Sequence, residues 1–225
     1  MISWEAFGAL AVILIVVLWR YLYFFRDPDR SVPDGRNVVA PADGTIVYIK
    51  DFKDGVAPIA IKNAKEIKMP EITKCDLPSG SGHILGIYMT FWDVHVNRSP
   101  ISGTVEEVAY HSTAQRNRSM ALFGFQTLLT GRPSPRTMGH VLENERNTIR
   151  IRGDFVVYIV QIADFYVNKV ICWVCKGQAV GKGERIGRII MGSQVDMILP
   201  EMAGLKIMVK EGDYVKAGKT IIATY

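Results

Sequence analysis

Val209-Lys-Glu-Gly-Asp-Tyr-Val-Lys-Ala-Gly-Lys-Thr-Ile-Ile222 is the stretch on which the fold turns. It contains Gly212-x-x-Val215-x-x-Gly218-x-x-Ile221. The same spacing occurs earlier as Gly177-x-x-Val180-x-x-Gly183-x-x-Ile186, each position shifted by 35 (212 − 177). Glycine enters the left-handed backbone region without steric cost, so each copy reads as paired tight turns. The Val and Ile between the turns then alternate into a core. A Pro-x-x-Gly start is also used twice, at Pro41-Ala-Asp-Gly44 and Pro100-Ile-Ser-Gly103.

Outward from this repeat, helical periodicity is scarce. Short runs rich in Val, Ile and Tyr are punctuated by Gly and Pro: Gly44-Thr-Ile-Val-Tyr-Ile49, Ile84-Leu-Gly-Ile-Tyr-Met89, Gly103-Thr-Val-Glu-Glu-Val108, Thr148-Ile-Arg-Ile-Arg152, Phe155-Val-Val-Tyr-Ile-Val-Gln161 and Lys169-Val-Ile-Cys-Trp-Val174. These are strands joined by tight turns, and the fold class is mainly β. The 209–222 copy resembles the half-motif of lipoyl and biotinyl domains, which implies a barrel-sandwich core of hammerhead-like strands. Ser112 to Leu142 departs from the pattern. It holds no Asp or Glu, but has Arg116, Arg118, Arg132 and Arg136 beside Met120-Ala-Leu-Phe-Gly-Phe125. Pro133 and Pro135 break any helix there. It reads as a short helical or loop insertion, either a lid touching an anionic membrane or an ordinary packing helix.

The N-terminus is of another kind. Ala6 to Phe25 gives 20 positions with Arg20 as the one charge, and about 20 apolar residues span a bilayer as a helix. Trp4, Trp19, Tyr21 and Tyr23 sit where aromatic belts lie, and Arg20, Arg26 and Arg30 follow the run, which places the remainder on the cytoplasmic side of a cell membrane. Glu5 and the bulky aromatic end do not suit a cleaved signal peptide. Residues 1–30 thus form an anchor and joint, and residues 31–225 the folded domain.

The 225 residues carry a net charge of +5 and are 48% hydrophobic, with a mean hydropathy of +0.13. A basic balance suits nucleic acid and anionic lipid equally; the membrane run favours lipid, and no nucleic-acid partner is expected. Three cysteines, Cys75, Cys172 and Cys175, make no disulfide framework. Cys172-Trp-Val-Cys175 lacks the second pair of a metal site and lies in a strand-like run, so it reads as two buried strand cysteines, and no metal is expected.

The chemistry centres on Arg188-Ile-Ile-Met-Gly-Ser193-Gln-Val-Asp-Met-Ile-Leu-Pro200. Ordered blocks lead to it: Phe24-Phe-Arg-Asp-Pro-Asp-Arg30, Val39-Ala-Pro-Ala-Asp-Gly44, Phe91-Trp-Asp-Val-His-Val-Asn-Arg-Ser-Pro100, Glu143-Asn-Glu-Arg-Asn147, Gly183-Glu-Arg-Ile-Gly187 and Gly192-Ser193. With these blocks the chain resembles the phosphatidylserine decarboxylase family, in its short, archaetidylserine decarboxylase-like form. The resemblance implies a proenzyme that cuts itself between Gly192 and Ser193, into chains 1–192 and 193–225 that stay associated. Ser193 becomes a pyruvoyl group, the covalent cofactor, which acts as an electron sink when a serine-headed phospholipid loses carbon dioxide.

The resemblance also implies roles for two further residues. Asp43 matches an aspartate implicated in self-cleavage, and His95 a histidine associated with decarboxylation, where it would hold the carboxylate or deliver the proton. Arg98 stands where the larger bacterial form has a second histidine, so the base that activates Ser193 stays open, and Arg98 is a candidate for the lipid phosphate. His83, His111 and His140 are not ranked by the sequence. Two rival readings remain: a membrane-tethered carrier module, for which Ile190 to Ile207 offers only the off-centre Lys206, and an unprocessed inactive homologue. The lipid tails and the oligomeric state, a homodimer included, stay open.

Overall fold

The computed structural model describes residues 4–58, 66–75, 80–113, 117–130, 138–164, 170–190 and 193–225. The chain opens with helix α1 (Trp4–Leu18), which continues through a wider π-type stretch, Trp19–Phe24. Together they make a 21-residue helix long and apolar enough to cross a membrane. No residue of α1 is buried, so it is not a core helix of the domain.

Strands follow as β1 (Asn37–Val39), β2 (Gly44–Phe52), β3 (Val56–Ala57) and β4 (Ile67–Lys68). A short helix α2 (Met69–Thr73) leads to β5 (Gly82–Met89), β6 (Val96–Arg98) and β7 (Gly103–His111). Helices α3 (Ala121–Thr130) and α4 (His140–Glu143) precede β8 (Arg146–Arg152), β9 (Val156–Ala163), β10 (Val170–Cys172), β11 (Ala179–Val180) and β12 (Arg185–Ile189). The C-terminal part supplies β13 (Ser193–Pro200), β14 (Lys206–Ile207), β15 (Tyr214–Val215) and β16 (Ile221–Thr224). The fold is mainly β, as expected.

One curled sheet of eight antiparallel strands runs β11-β7-β8-β9-β13-β5-β2-β15, flanked by two three-stranded sheets, β10-β12-β6 and β1-β16-β14. The sequence repeat explains this arrangement. Gly177, Gly183, Gly212 and Gly218 all take positive φ, between 69° and 92°, so the turns form as expected. The two copies occupy opposite edges of the large sheet. Val180 of the first pairs with Gly103 and Val215 of the second with Gly44, the glycines that end the two Pro-x-x-Gly starts. After those edge strands, β12 pairs with β6 and β16 with β1. Each half-motif therefore completes a strand pair begun far away in sequence.

Alternation along the central strands makes two cores. Val195, Met197 and Leu199 of β13 join Leu85, Ile87, Ile149, Ile159, Ile186 and Ile222 between the large sheet and the two small ones. Ile198 of β13 faces the other way, with Tyr48, Tyr88, Val160 and Ile162, and α2, α3 and the segment around α4 cover that side with Met69, Ile72, Phe123 and Val141. The 112–142 insertion is thus partly helical: Phe123 packs edge-on against Tyr88 at 5.7 Å, while Leu122, Phe125 and Leu129 face outward. Arg116, Arg132, Pro133, Pro135 and Arg136 lie outside the described residues.

The cysteine reading needs correction. Cys172 is half-buried on β10, but Cys175 is exposed beyond the strand. Trp173 bonds through its backbone N–H to Ile186 and the chain then turns at Cys175–Gln178, so the alternating pattern stops two residues before it could bury the second thiol.

Candidate active site

Ser193 opens β13, between β5 and β9, and pairs with Met89 on one side and Ala163 on the other. Its side chain is fully buried. It points to the same face as Val195, toward the core between the sheets, because strand side chains alternate. There its Oγ–H donates to Met89 Sδ at 3.3 Å, a weak acceptor. Gly192 lies outside the described residues.

A row across the large sheet locates the other candidates. Tyr214, Thr45, Tyr88, Gln194, Ile162 and Arg146 are successive register partners. One residue along, the next row contains Val215 beside Gly44, and Met89 beside Ser193. Asp43 and Ser193 therefore lie at the same end of the sheet, with β5 between their strands. At about 4.8 Å per strand, their backbones are roughly 10 Å apart.

Asp43 is buried and held from two directions. Arg30 donates to both carboxylate oxygens, at 2.5 and 2.7 Å, and the Ala217 N–H donates to Oδ1 at 2.8 Å. Gly44 behind it has φ +147°, and a Cβ there would stand 2.2 Å from the Tyr88 carbonyl oxygen. Only glycine lets β2 approach β5 this closely just after the carboxylate.

His95 is 1% exposed, between the turn at Thr90–Asp93 and β6. Its Nδ1 lies 2.9 Å from the Asp93 carbonyl oxygen. A carbonyl only accepts, so Nδ1 carries the proton and Nε2 is left as a bare lone pair. Nε2 is buried with no hydrogen-bond partner among the described residues. Burial pushes the imidazole down to about 4, against smaller opposing effects of Asp93 and Asp43. The ring is neutral at physiological pH, and Phe24 at the end of the apolar helix stacks on it at 4.3 Å.

Arg98 is spent on contacts within the chain. It is 5% exposed, and donates to the Gly183 carbonyl, the Asp27 carboxylate and the Pro28 carbonyl, each at 3.0 Å. It clamps the joint after the apolar helix onto β12 and its turn. Among the described residues, no hydrogen bond joins Ser193 to Asp43 or His95.

A buried amide chain was not singled out in the sequence. Asn147 Nδ2 donates to Gln161 Oε1 at 2.9 Å, and Gln161 Nε2 to Asn97 Oδ1 at 2.7 Å. Asn97 Nδ2 then points at Met89 Sδ, 3.9 Å away, the atom that also receives Ser193 Oγ. All three amides are at most 1% exposed. Asn97 sits in the histidine block and Asn147 ends the 143–147 block, so the blocks carried a signal whose meaning only the pairing of β8 with β9 reveals.

Behind Ser193, on the opposite face of β13, Gln194 Oε1 accepts from His140 Nε2–H at 3.0 Å, and Gln194 Nε2 donates to Asp196 at 2.7 Å. Burial raises Asp196 to about 6. His83 meets Asp51 at 2.6 Å and His111 ends β7 on the surface; among the described residues neither bonds to Ser193. Among the described residues no group of His, Cys, Asp and Glu is arranged to hold a metal.

A buried serine at a strand start and an arginine-locked aspartate thus share one end of the large sheet, and a buried histidine whose Nε2 has no hydrogen-bond partner among the described residues follows the Thr90–Asp93 turn. The family model for phosphatidylserine decarboxylase matches residues 18–223. A putative archaetidylserine decarboxylase proenzyme of Methanocaldococcus jannaschii is 34% identical over 98% of this chain and 96% of its own length. Phosphatidylserine decarboxylase proenzymes of Solibacter usitatus and Azorhizobium caulinodans are 33% and 35% identical, over 99% and 97% of this chain and 87% and 78% of their own lengths. The chain belongs to the phosphatidylserine decarboxylase family and is an enzyme. That membership sets the carrier-module reading aside.

Proposed function

We propose that this protein is a membrane-anchored proenzyme that cleaves itself after Gly192 and then decarboxylates a serine-headed phospholipid, with either diacyl or archaeal ether tails. The observation that carries the reading is Ser193 itself: a hydroxyl with no exposure, held among the described residues by a thioether alone, at the first residue of a strand in the middle of the sheet.

Self-cleavage begins when Ser193 turns about χ1 away from Met89 and its Oγ attacks the Gly192 carbonyl. His95 Nε2 accepts the hydroxyl proton, being neutral, buried and without another partner among the described residues. The carboxylate of Asp43 favours the imidazolium that forms, and Arg30 holds that carboxylate in place. Asn97 Nδ2, braced through Gln161 and Asn147, is the donor for the developing oxyanion. The C–N bond breaks, the proton passes to the freed amine, and an ester links Gly192 to Ser193 Oγ. Loss of the Ser193 α-proton then expels the Gly192 carboxylate and leaves dehydroalanine. Its imine tautomer takes up water and releases ammonia, leaving the pyruvoyl group at the new N-terminus.

Residue 193 fits that group: its pocket is dry, flanked by a thioether and amides, and needs no charge. When present, the pyruvoyl group supplies the electron sink for loss of carbon dioxide from an amine-bearing substrate. His95 excludes water with Phe24 and passes a proton through Nε2.

The small chain 193–225 contributes β13 between β9 and β5, the edge strand β15, and β14 and β16. It stays bound because its strands are interleaved with those of the large chain, in the barrel-sandwich manner of lipoyl-like halves. The 21-residue apolar helix anchors the domain on the cytoplasmic side, with Arg20 near its C-terminal end and Arg26 and Arg30 just after it.

Mass spectrometry of the purified protein tests this. Two chains divided after Gly192 are expected, the small one blocked at its N-terminus and reducible by borohydride. Ser193→Ala should remain one chain. An uncut 25.1 kDa wild-type chain, inert toward serine phospholipid, would sink the proposal.

A further inference from the structure

Resting on the decarboxylase reading, we infer that Lys216, Lys219 and Arg26 form the site that binds the substrate's phosphodiester. Arg98 cannot serve, because its guanidinium is closed over Gly183, Asp27 and Pro28.

A cavity of about 400 Å³ has Asp43 in its wall together with Arg26, Arg30, Tyr214, Lys216 and Lys219. Its charges are unequally matched. Arg30 is neutralised by Asp43, and Asp29, also in the wall, is paired with Arg185. Arg26 donates to the neutral carbonyls of Tyr23 and Trp92, at 2.8 and 2.6 Å, and lies over the Tyr23 ring at 3.9 Å, with no ion pair among the described residues. Lys216 and Lys219 have no ion pair among the described residues. Three cations without a carboxylate therefore line one small cavity, and such a set draws an anion.

The two lysines are held by one tight turn. The Lys216 N–H donates to Thr220 Oγ1 at 2.9 Å, and the N–H groups of Lys219 and Thr220 return to the Lys216 carbonyl. Gly218, at φ +69°, lies against Arg98, where a Cβ would meet Cδ at 2.9 Å. Arg98 is thus a positioning residue for the turn that carries the cations. Arg26 comes two residues after the apolar helix, at the depth where lipid phosphates lie. The volume suits a phosphoserine head and not its tails, and Asp43 places the reacting end of the cavity.

The test uses full-length Ser193→Ala protein in detergent, titrated with soluble glycerophosphoserine, serine methyl ester or inorganic phosphate and followed by calorimetry. Glycerophosphoserine should bind, and Lys216→Gln with Lys219→Gln should weaken it about tenfold; the Lys→Arg pair should restore it. In the processed enzyme, the Gln pair should raise KM about tenfold and lower kcat by much less. Equal binding in the Gln and parent proteins, or a loss confined to kcat, overturns the assignment. Phosphate binding that matches glycerophosphoserine and depends equally on the lysines makes this a free-phosphate site and also overturns it. If the decarboxylase reading alone fails, wild type stays uncut and releases no carbon dioxide, whatever the titration shows.

Discussion

Arg30 and Asp43 form a bidentate ion pair in which the two side chains are 8% and 4% exposed. It ties the joint after the apolar helix to the start of β2, and it fixes the carboxylate beside the candidate site. Removing one partner strands the other charge in a dry place. Arg30→Ala should therefore cost on the order of 3–5 kcal/mol in stability, read by denaturant unfolding. Asp43→Asn removes the charge that favours the imidazolium and leaves the Arg30 guanidinium buried on the neutral Ala217 carbonyl; it should lose a comparable amount of stability, and the protein that remains folded should self-cleave at least about 100-fold more slowly. Normal cleavage by Asp43→Asn would remove Asp43 from the mechanism.

Asn97 is the proposed oxyanion donor. Loss of one such donor lowers rates by roughly 100- to 1000-fold. Asn97→Ala should therefore accumulate uncut chain on the hour scale where wild type is fully processed, followed by gel densitometry. Gln161→Ala, which removes only the brace, should slow cleavage less. The reverse ranking would point to a structural role for both.

The His95 imidazole has a folded-state value near 4, below the 6.5 of the free side chain. Between these values the unfolded chain binds the extra proton, so stability falls as pH drops from about 6.5 to 4 and levels off below. A depression of that size is worth roughly 3 kcal/mol. Asp196, raised to about 6, works in the opposite direction over about pH 6 to 4, so the two are separated by a variant. His95→Gln should lose less stability than wild type between pH 7 and 4, by urea unfolding in detergent. Parallel pH curves would show that His95 is not neutral in the folded protein.

Gly44 has φ +147° and the Tyr88 carbonyl where a Cβ would stand. Gly44→Ala must push β2 from β5, displacing Asp43 from Arg30. A loss of at least about 3 kcal/mol is expected, with self-cleavage impaired. A near-native melting temperature would contradict the backbone geometry.

Much of this was legible in the chain. The runs read as strands correspond to β2, β5, β7, β8, β9 and β10, because alternation in a half-buried strand is a local property. The exposed Cys175 was missed because a pattern of apolar residues does not show where a ladder ends; the turn at Cys175–Gln178 does. Arg98 was read as a phosphate ligand because an arginine's charge is visible in sequence and its partners are not. Asp27 lies 71 residues away.

By itself the sequence determined the apolar helix, the two Gly-Val-Gly-Ile half-motifs with their left-handed turns, and the serine, aspartate and histidine blocks that mark the family. These depend on local backbone preference and on residue chemistry. Tertiary structure alone decided that the two half-motifs take opposite edges of one sheet, and that Asn147, Gln161 and Asn97 connect toward Ser193. It also set three cations that have no ion pair among the described residues around one cavity. Those relations come from strand pairing across long sequence separations, where burial of whole faces selects the register and no short stretch encodes the partner.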